Sequence, residues 1–260
     1  MEYKTLQLEI NEGIATITLN RPDVLNAVNM DMRLDFTALT DELFFNDEIR
    51  LVVFTGAGRS FSSGGDISHF EKDWLTPNFR ANSRRLTKFF DDLEALEKPV
   101  LCAINGSATG AGLELALACD IRIASEEATF GFRENFIGLI PGVGGCARFI
   151  RTIGVAKAKE LIWMGTMIPA LEANNIGLVN DVVPHESLLA VTNEYAQKLL
   201  KRAPQAIGLA KKLLNTIANV DQTSGIAVEG LAQSILIKTE DHMEGVHAFR
   251  KKRKPEYKGR

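Results

Sequence analysis

The 260 residues carry a net charge of −3, with 45% hydrophobic and 24% charged residues, the balance of a soluble globular protein long enough to bury a sizeable core. That charge excludes a global attraction to nucleic acid or anionic membrane, and no apolar run reaches membrane-spanning length. Cys102, Cys119 and Cys146 are odd in number and lack paired ligand spacing, so they are expected as reduced, mostly buried thiols rather than a disulfide framework or a metal site.

The chain opens directly on a strand pattern, without a basic and apolar leader, and a cytoplasmic location is expected. Leu6, Leu8 and Ile10 alternate with polar residues, Asn11-Glu12-Gly13 turns, and Ile14 to Leu19 returns as a second strand. This hairpin delivers the loop from Asn20 to Ala27. A helix is expected from Asn29 to about Asn46, with Met32, Phe36, Leu39 and Leu43 on one face, and Leu51 to Thr55 reads as a strand buried on both faces. Gly56 to Ile67 is so rich in small residues that it is expected to be irregular and open to close approach by a ligand, and Ser68 to Pro77 reads as a mobile surface piece. An amphipathic helix marked by Leu86, Phe89, Phe90, Leu93 and Leu96 is stopped by Pro99, and Val100 to Ile104 forms another buried strand.

Asn105 to Asp120 follows, and it reads as a reaction centre. Gly110, Ala111 and Gly112 open an apolar helix whose first N–H groups have no partner within it, and these donors together with the helix dipole favour negative charge. Glu114, one turn in, is flanked by Leu113, Leu115 and Leu117, where a carboxylate without a partner or a task would be costly. Ile121 to Ala124 and Thr129 to Gly131 are expected strands, and Glu134 sits in the loop leaving the second, a common place for chemistry. Helices from Val143 to Thr152 and Val155 to Met164, a helical turn near Glu172 and a strand from Leu178 to Val183 come next. Four helical segments close the chain: Leu188 to Lys201, Pro204 to Asn219, Thr223 to Lys238 and Glu240 to Lys252. The order implies an α/β core over residues 1–200 and a helical region over 201–260.

These residues resemble the crotonase superfamily of enoyl-CoA hydratases and isomerases along nearly the whole chain. The resemblance is carried by Asn105-Gly106 followed by Gly110-Ala111-Gly112 and a helix ending in Cys119-Asp120, by Phe61 to Ile67 as an oxyanion loop, and by the Pro-Gly-rich Leu139 to Gly145. Leu19-Asn20-Arg21-Pro22 with Asn26-Ala27, and the ending Lys252-Arg253-Lys254-Pro255, are similar too. It implies a spiral of repeated ββα units with a helical C-terminal trimerisation region, a homotrimer or dimer of trimers, an acyl-CoA substrate, and neither a metal nor a cofactor beyond the coenzyme A of that substrate. It also implies an oxyanion hole formed by the backbone N–H groups of Gly65 and Ala111, and catalytic roles for Glu114 and Glu134. Substrate contacts would fall to Val24, Ala27, Gly64, Asp66, Ile67, Ser68, Gly110, Pro141, Gly142, Phe249 and Lys252. Three positions depart from the usual hydratase pattern: Gly65 replaces Ala, Ser68 replaces Lys, and Arg133 replaces the Pro that often precedes the second glutamate.

Two glutamates fit hydration of a trans-2-enoyl-CoA, with one acid taking the proton of the attacking water and the other protonating Cα. The dipole of its helix would keep Glu114 ionised as the base, and apolar neighbours would keep Glu134 protonated as the acid. An isomerase using one glutamate is the nearest rival reading. The tail from Phe249 to Arg260, with seven Lys or Arg against one Glu, suits a solvated end or a contact to coenzyme A phosphate, and an RNA-binding role on the same fold is the remote alternative. His69 is expected on the surface or in packing, His185, His242 and His247 as structural or exposed, and Trp74 and Phe79 in packing or at the acyl end of the pocket.

Overall fold

The computed structural model describes residues 3–260. Strands β1 (Leu6–Asn11) and β2 (Ile14–Leu19) pair antiparallel, and α1 (Met30–Phe45) follows, with the Asn29 side chain accepting from Met32 N at 2.9 Å as its N-cap. Three turns of a spiral come next, each giving one strand to a large sheet, one to a small sheet, and then a helix. The first is β3 (Leu51–Gly56), β4 (Ser60–Ser62) and α2 (Thr76–Ala95); the second is β5 (Val100–Ile104), β6 (Ser107–Thr109) and α3 (Ala111–Ala118). The third is β7 (Ile121–Ser125), β8 (Thr129–Gly131) and α4 (Gly145–Ile153), after which come α5 (Val155–Met164), β9 (Ile168–Pro169), α6 (Ala170–Asn175) and β10 (Asp181–Val183). The six-stranded sheet runs β1-β2-β3-β5-β7-β10 and the four-stranded sheet β4-β6-β8-β9. From β2 to β10 every step of the large sheet is parallel, as is β4-β6-β8. This is the α/β spiral that the resemblance implies.

Alternation along the large sheet divides two apolar layers. Ile17, Val52, Phe54, Cys102 and Ile104 face the main core with α1 to α3, where the Phe36 and Phe89 rings stack at 4.5 Å. Leu51, Val53, Leu101, Ala103 and Ile123 face the other way, under α7 (Leu188–Leu200). The continuous apolar runs read from the sequence are therefore strands covered on both faces.

Several expectations are corrected. Residues 56–67 are not irregular throughout: Ser60–Ser62 pair in parallel with β6, and Asn26, buried although polar, holds them there by donating from Nδ2 to Ala57 O at 2.9 Å and Ser60 O at 2.8 Å. Pro77 does not sit in a mobile piece; it lies in the first turn of α2, where its missing N–H has no helical partner to lose. α4 starts at Gly145 rather than Val143, because the Val143 N–H is turned toward Glu114. Leu178 and Val179 close the turn after α6, so β10 begins only at Asp181.

α8 (Pro204–Ile217) is fastened to the core by Lys211, whose buried ammonium donates to Leu93 O at 2.7 Å and Lys98 O at 3.2 Å and pairs with Asp120 at 2.8 Å. α9 (Gln222–Leu236) and α10 (Glu240–Arg250) complete the fold. The chain end then folds back, with Asp241 accepting from the Lys258 and Gly259 amides at 2.7 and 2.8 Å. Among the described residues, no helix is long and apolar enough to cross a membrane.

Candidate active site

The small sheet brings two loops together. Beyond β4 the chain turns at Gly64 with φ +92°, and beyond β6 it turns at Gly110 with φ +49°, conformations that disfavour a side chain. A Cβ at Gly64 would lie 3.4 Å from Ala111 N, so the start of α3 and the loop before Gly65 are in contact. The bridge between Val28 and Gly65 uses Val28 N to Gly64 O at 2.8 Å and Asp66 N to Val28 O at 3.1 Å, which leaves the Gly65 amide outside the ladder. Ala111 is the first residue of α3, where an N–H has no helical acceptor. Among the described residues, neither of these amides finds a protein acceptor.

Glu114 is 2% exposed, and its Oε1 accepts from the Val143 and Gly145 amides, each at 3.0 Å. Burial pushes its pKa up to about 7 against these two amides, and the Glu134 charge adds to the rise. The dipole argument for a readily ionised Glu114 is thereby corrected. One turn of helix cannot offset the loss of water around a carboxyl packed beneath the 141–145 turn. Among the described residues Glu114 has no ion-pair partner: Arg148, the nearby cation, engages Asp91 at 2.7 Å and Glu94 at 2.8 Å.

Glu134 opens a 3-10 turn, Glu134–Ile137, just after β8. Arg133 before it has φ −118°, outside the range of the Pro it replaces, so this departure changes the approach of the chain. The carboxyl still reaches the cleft, since Oε1 lies 2.6 Å from where a Cβ at Gly110 would stand. Oε2 is buried without a partner, and burial pushes this pKa up as well. Glu114 Oε1 in turn lies 2.5 Å from a Cβ at Gly145. Each acid thus occupies space that a glycine vacates, Glu134 at Gly110 beside the free amide of Ala111 and Glu114 at Gly145.

The chain matches the enoyl-CoA hydratase/isomerase family over residues 9–260. It belongs to that family. It is 40% identical over 257 residues to the short-chain-enoyl-CoA hydratase of Clostridium acetobutylicum, covering 98% of each chain. It is 36% identical over 258 residues to the crotonyl-CoA hydratase of Syntrophomonas wolfei, covering 99% of each. Among solved structures, an enoyl-CoA hydratase of Bacillus anthracis superposes with a TM-score of 0.94 at 36% identity, over 99% of this chain and all of that one. The spiral is the crotonase fold.

The rest of the site in this family member is a brace around the first loop. Arg21 donates to Ala27 O at 2.6 Å and pairs with Asp66 at 3.0 Å, while the Ser68 hydroxyl donates to the other Asp66 oxygen at 2.8 Å. These bonds, that of Ser68 first, hold the Asp66 carboxyl below its usual range. Ser68, standing in for the usual Lys, is thus committed to the loop itself. Val24 and Ile67 are exposed, Ala27 is buried, and Pro141 packs beside the Gly145 Cα next to Glu114, with Gly142 exposed beyond it. Phe249 is 86% exposed and Lys252 is exposed. Among the described residues, no hydrogen bond or ion pair ties either to the cleft. Asp66→Asn is expected to lower kcat/KM about tenfold with little loss of stability, because a partly exposed pair contributes little to folding while it aims the Gly65 amide; steady-state kinetics beside a melting curve check this.

Two site-adjacent groups were not singled out from the sequence as functional. His69 is buried, its ring 4.8 Å from Trp74 and 5.4 Å from Phe70, so the packing half of the expectation holds and the surface half does not. Arg33, next to the core residue Met32, is buried and was passed over. The signal available was a cation beside the apolar stripe of α1.

Proposed function

We propose that this chain hydrates a trans-2-enoyl-CoA, the thioester oxygen being held by the amides of Gly65 and Ala111 and one water by Glu114 and Glu134. The observation that carries this reading is a buried Glu114 and a half-buried Glu134 whose Oε2 is sealed from solvent, both raised in pKa by burial, beside an unpartnered helix-start amide. Attack of water at Cβ puts charge on the thioester oxygen, and fixed donors there act without reorganisation. A carboxyl near neutrality can accept the proton of water, and a second raised acid can deliver one to Cα. The two titrate as a pair, which leaves the acid and base roles to kinetics. Water addition is redox-neutral, and the mechanism calls on no metal and no cofactor besides the coenzyme A carried by the substrate. The curated relatives named as hydratases support this reading over isomerisation. Loss of the absorbance of the conjugated enoyl thioester supports it; gain of that absorbance from a 3-enoyl-CoA with no hydration gives the isomerase reading instead.

We further propose that α9 and α10 mediate self-association into a homotrimer or a dimer of trimers, with the 201–260 region as the assembling part. Ile226, Leu231, Ile235 and Phe249 are all more than half exposed on them, apolar surface that a second copy of the chain would cover. Leu231→Glu with Ile235→Glu is expected to shift the elution and scattering mass to the monomer, and an unchanged mass rejects this face. Phe249 and Lys252 would then meet substrate across a subunit boundary. With Arg253 paired to Glu244, the tail is less free to grip a polyanion than its composition suggests. A soluble, cytoplasmic enzyme is the setting this reading fits.

A further inference from the structure

We propose that Arg33, with Asn82 and His69, forms a carboxylate-accepting subsite beside the reaction centre, so that the preferred enoyl-CoA has an acyl chain ending in a carboxylate. This rests on the hydratase reading for the thioester and deepens it. Arg33 on α1 is 5% exposed and, among the described residues, has no salt bridge. Its guanidinium makes one bond, Nη1 donating to Asn82 Oδ1 at 3.4 Å, and its Nε is buried with no partner. The acids near it in the chain are engaged elsewhere: Asp35 accepts from Thr5 N and Oγ1 at 2.7 and 2.6 Å, and Asp31 pairs with Lys4. A buried guanidinium in this condition is costly unless an anion joins it.

His69 supplies the second unfilled position. It too is 5% exposed, and its Nε2 is buried without a partner. Burial, then the charges of Arg33 and Lys72, hold its pKa down against Asp66, which favours the neutral ring, and a neutral imidazole keeps one N–H donor. Arg33 also lies within reach of the Glu114 charge, which puts the cluster on the Glu114 side of the site. The way in is mostly apolar. A cavity of about 530 Å³ lined by Ile67, Phe70, Trp74, Phe79, Ile137 and Leu139, with Glu71, Lys72 and Thr76 as its polar members, runs from the oxyanion loop to the turn that Glu134 opens, and it meets the cluster through Trp74 and Phe79, the rings packed on His69. An alkyl chain suits those walls. A guanidinium fork with a neutral imidazole N–H suits a carboxylate at its end.

The test uses trans-2-enoyl-CoA thioesters of matched length ending in methyl, primary amide or carboxylate. The wild-type kcat/KM is expected to be highest for the carboxylate, and Arg33→Met to lower that value about a hundredfold or more while changing the methyl substrate only a few-fold. Arg33→Lys, which keeps the charge but not the fork, should fall between the two. The matching saturated thioesters, bound without turnover, should show the same order in Kd, so the subsite is read even where no hydration occurs. Loss of enoyl hydration with the Kd order intact strikes the hydratase reading alone. An amide as good as the carboxylate, a wild-type preference for methyl, or Arg33→Met weakening all three ends equally overturns the subsite.

Discussion

Glu114→Gln is expected to cut kcat by about 10²–10⁴-fold, the usual range for a lost acid–base group, and at the same time to make the protein more stable in alkaline solution. Gln keeps an oxygen where Oε1 accepts from the Val143 and Gly145 amides, so the 141–145 turn and substrate binding should survive. The stability effect follows from proton uptake. The folded carboxyl holds its proton to about 7, whereas the unfolded one releases it near 4.5. Over that interval the folded state binds more protons, and wild-type stability falls as pH rises through it. Above it the ionised, buried group costs about 3 kcal/mol, an order-of-magnitude figure, which the neutral amide avoids. Melting of the two proteins should therefore coincide near about pH 4 and diverge by about pH 8, with the variant higher. Equal kcat, or a gap in melting temperature that ignores pH, would remove Glu114 from this role. Glu134→Gln should lower kcat over the same range, with a smaller stability change because that carboxyl is less deeply buried.

Ala111→Pro is the second large effect. Position 111 is the first residue of α3, where proline is well tolerated and its absent N–H breaks no helical bond. The substitution removes one donor from the oxyanion position and leaves the helix in place. Loss of one such donor costs about 10²–10³ in kcat, and the proline ring, projecting where the N–H pointed, adds to that. Circular dichroism should be unchanged, and a wild-type kcat in a folded Ala111→Pro protein would show that this amide does not hold the thioester oxygen.

The large sheet was legible because its central parallel strands β3 and β5 are runs such as Leu51-Val52-Val53-Phe54, covered on both faces and therefore apolar. Of the small sheet, only β8 (Thr129–Gly131) was. β4 and β6 are three residues each, built of Ser, Ala, Phe and Thr, and nothing local distinguishes them from loop until they pair with each other. The first half of α2 was missed for a related reason, since its apolar stripe starts at Leu86 and ten residues of helix precede it. At the site, both glutamates and the glycines beside them could be found from their neighbours in the chain. The acidity of Glu114 could not, because the residues that dry it come from the 141–145 turn. Arg33 was hidden by its ordinary setting, a charge on an amphipathic helix, and only its unfilled hydrogen bonds single it out.

Gly65 comes from the first coil of the spiral, Ala111 and Glu114 from the second, and Glu134 from the third, aligned through the parallel pairing of β4, β6 and β8. No single coil holds a usable fraction of the chemistry. A nascent or nicked chain that has closed two of them can be compact and still be inert toward thioesters, so regain of turnover on refolding should track completion of the last coil rather than the appearance of helix.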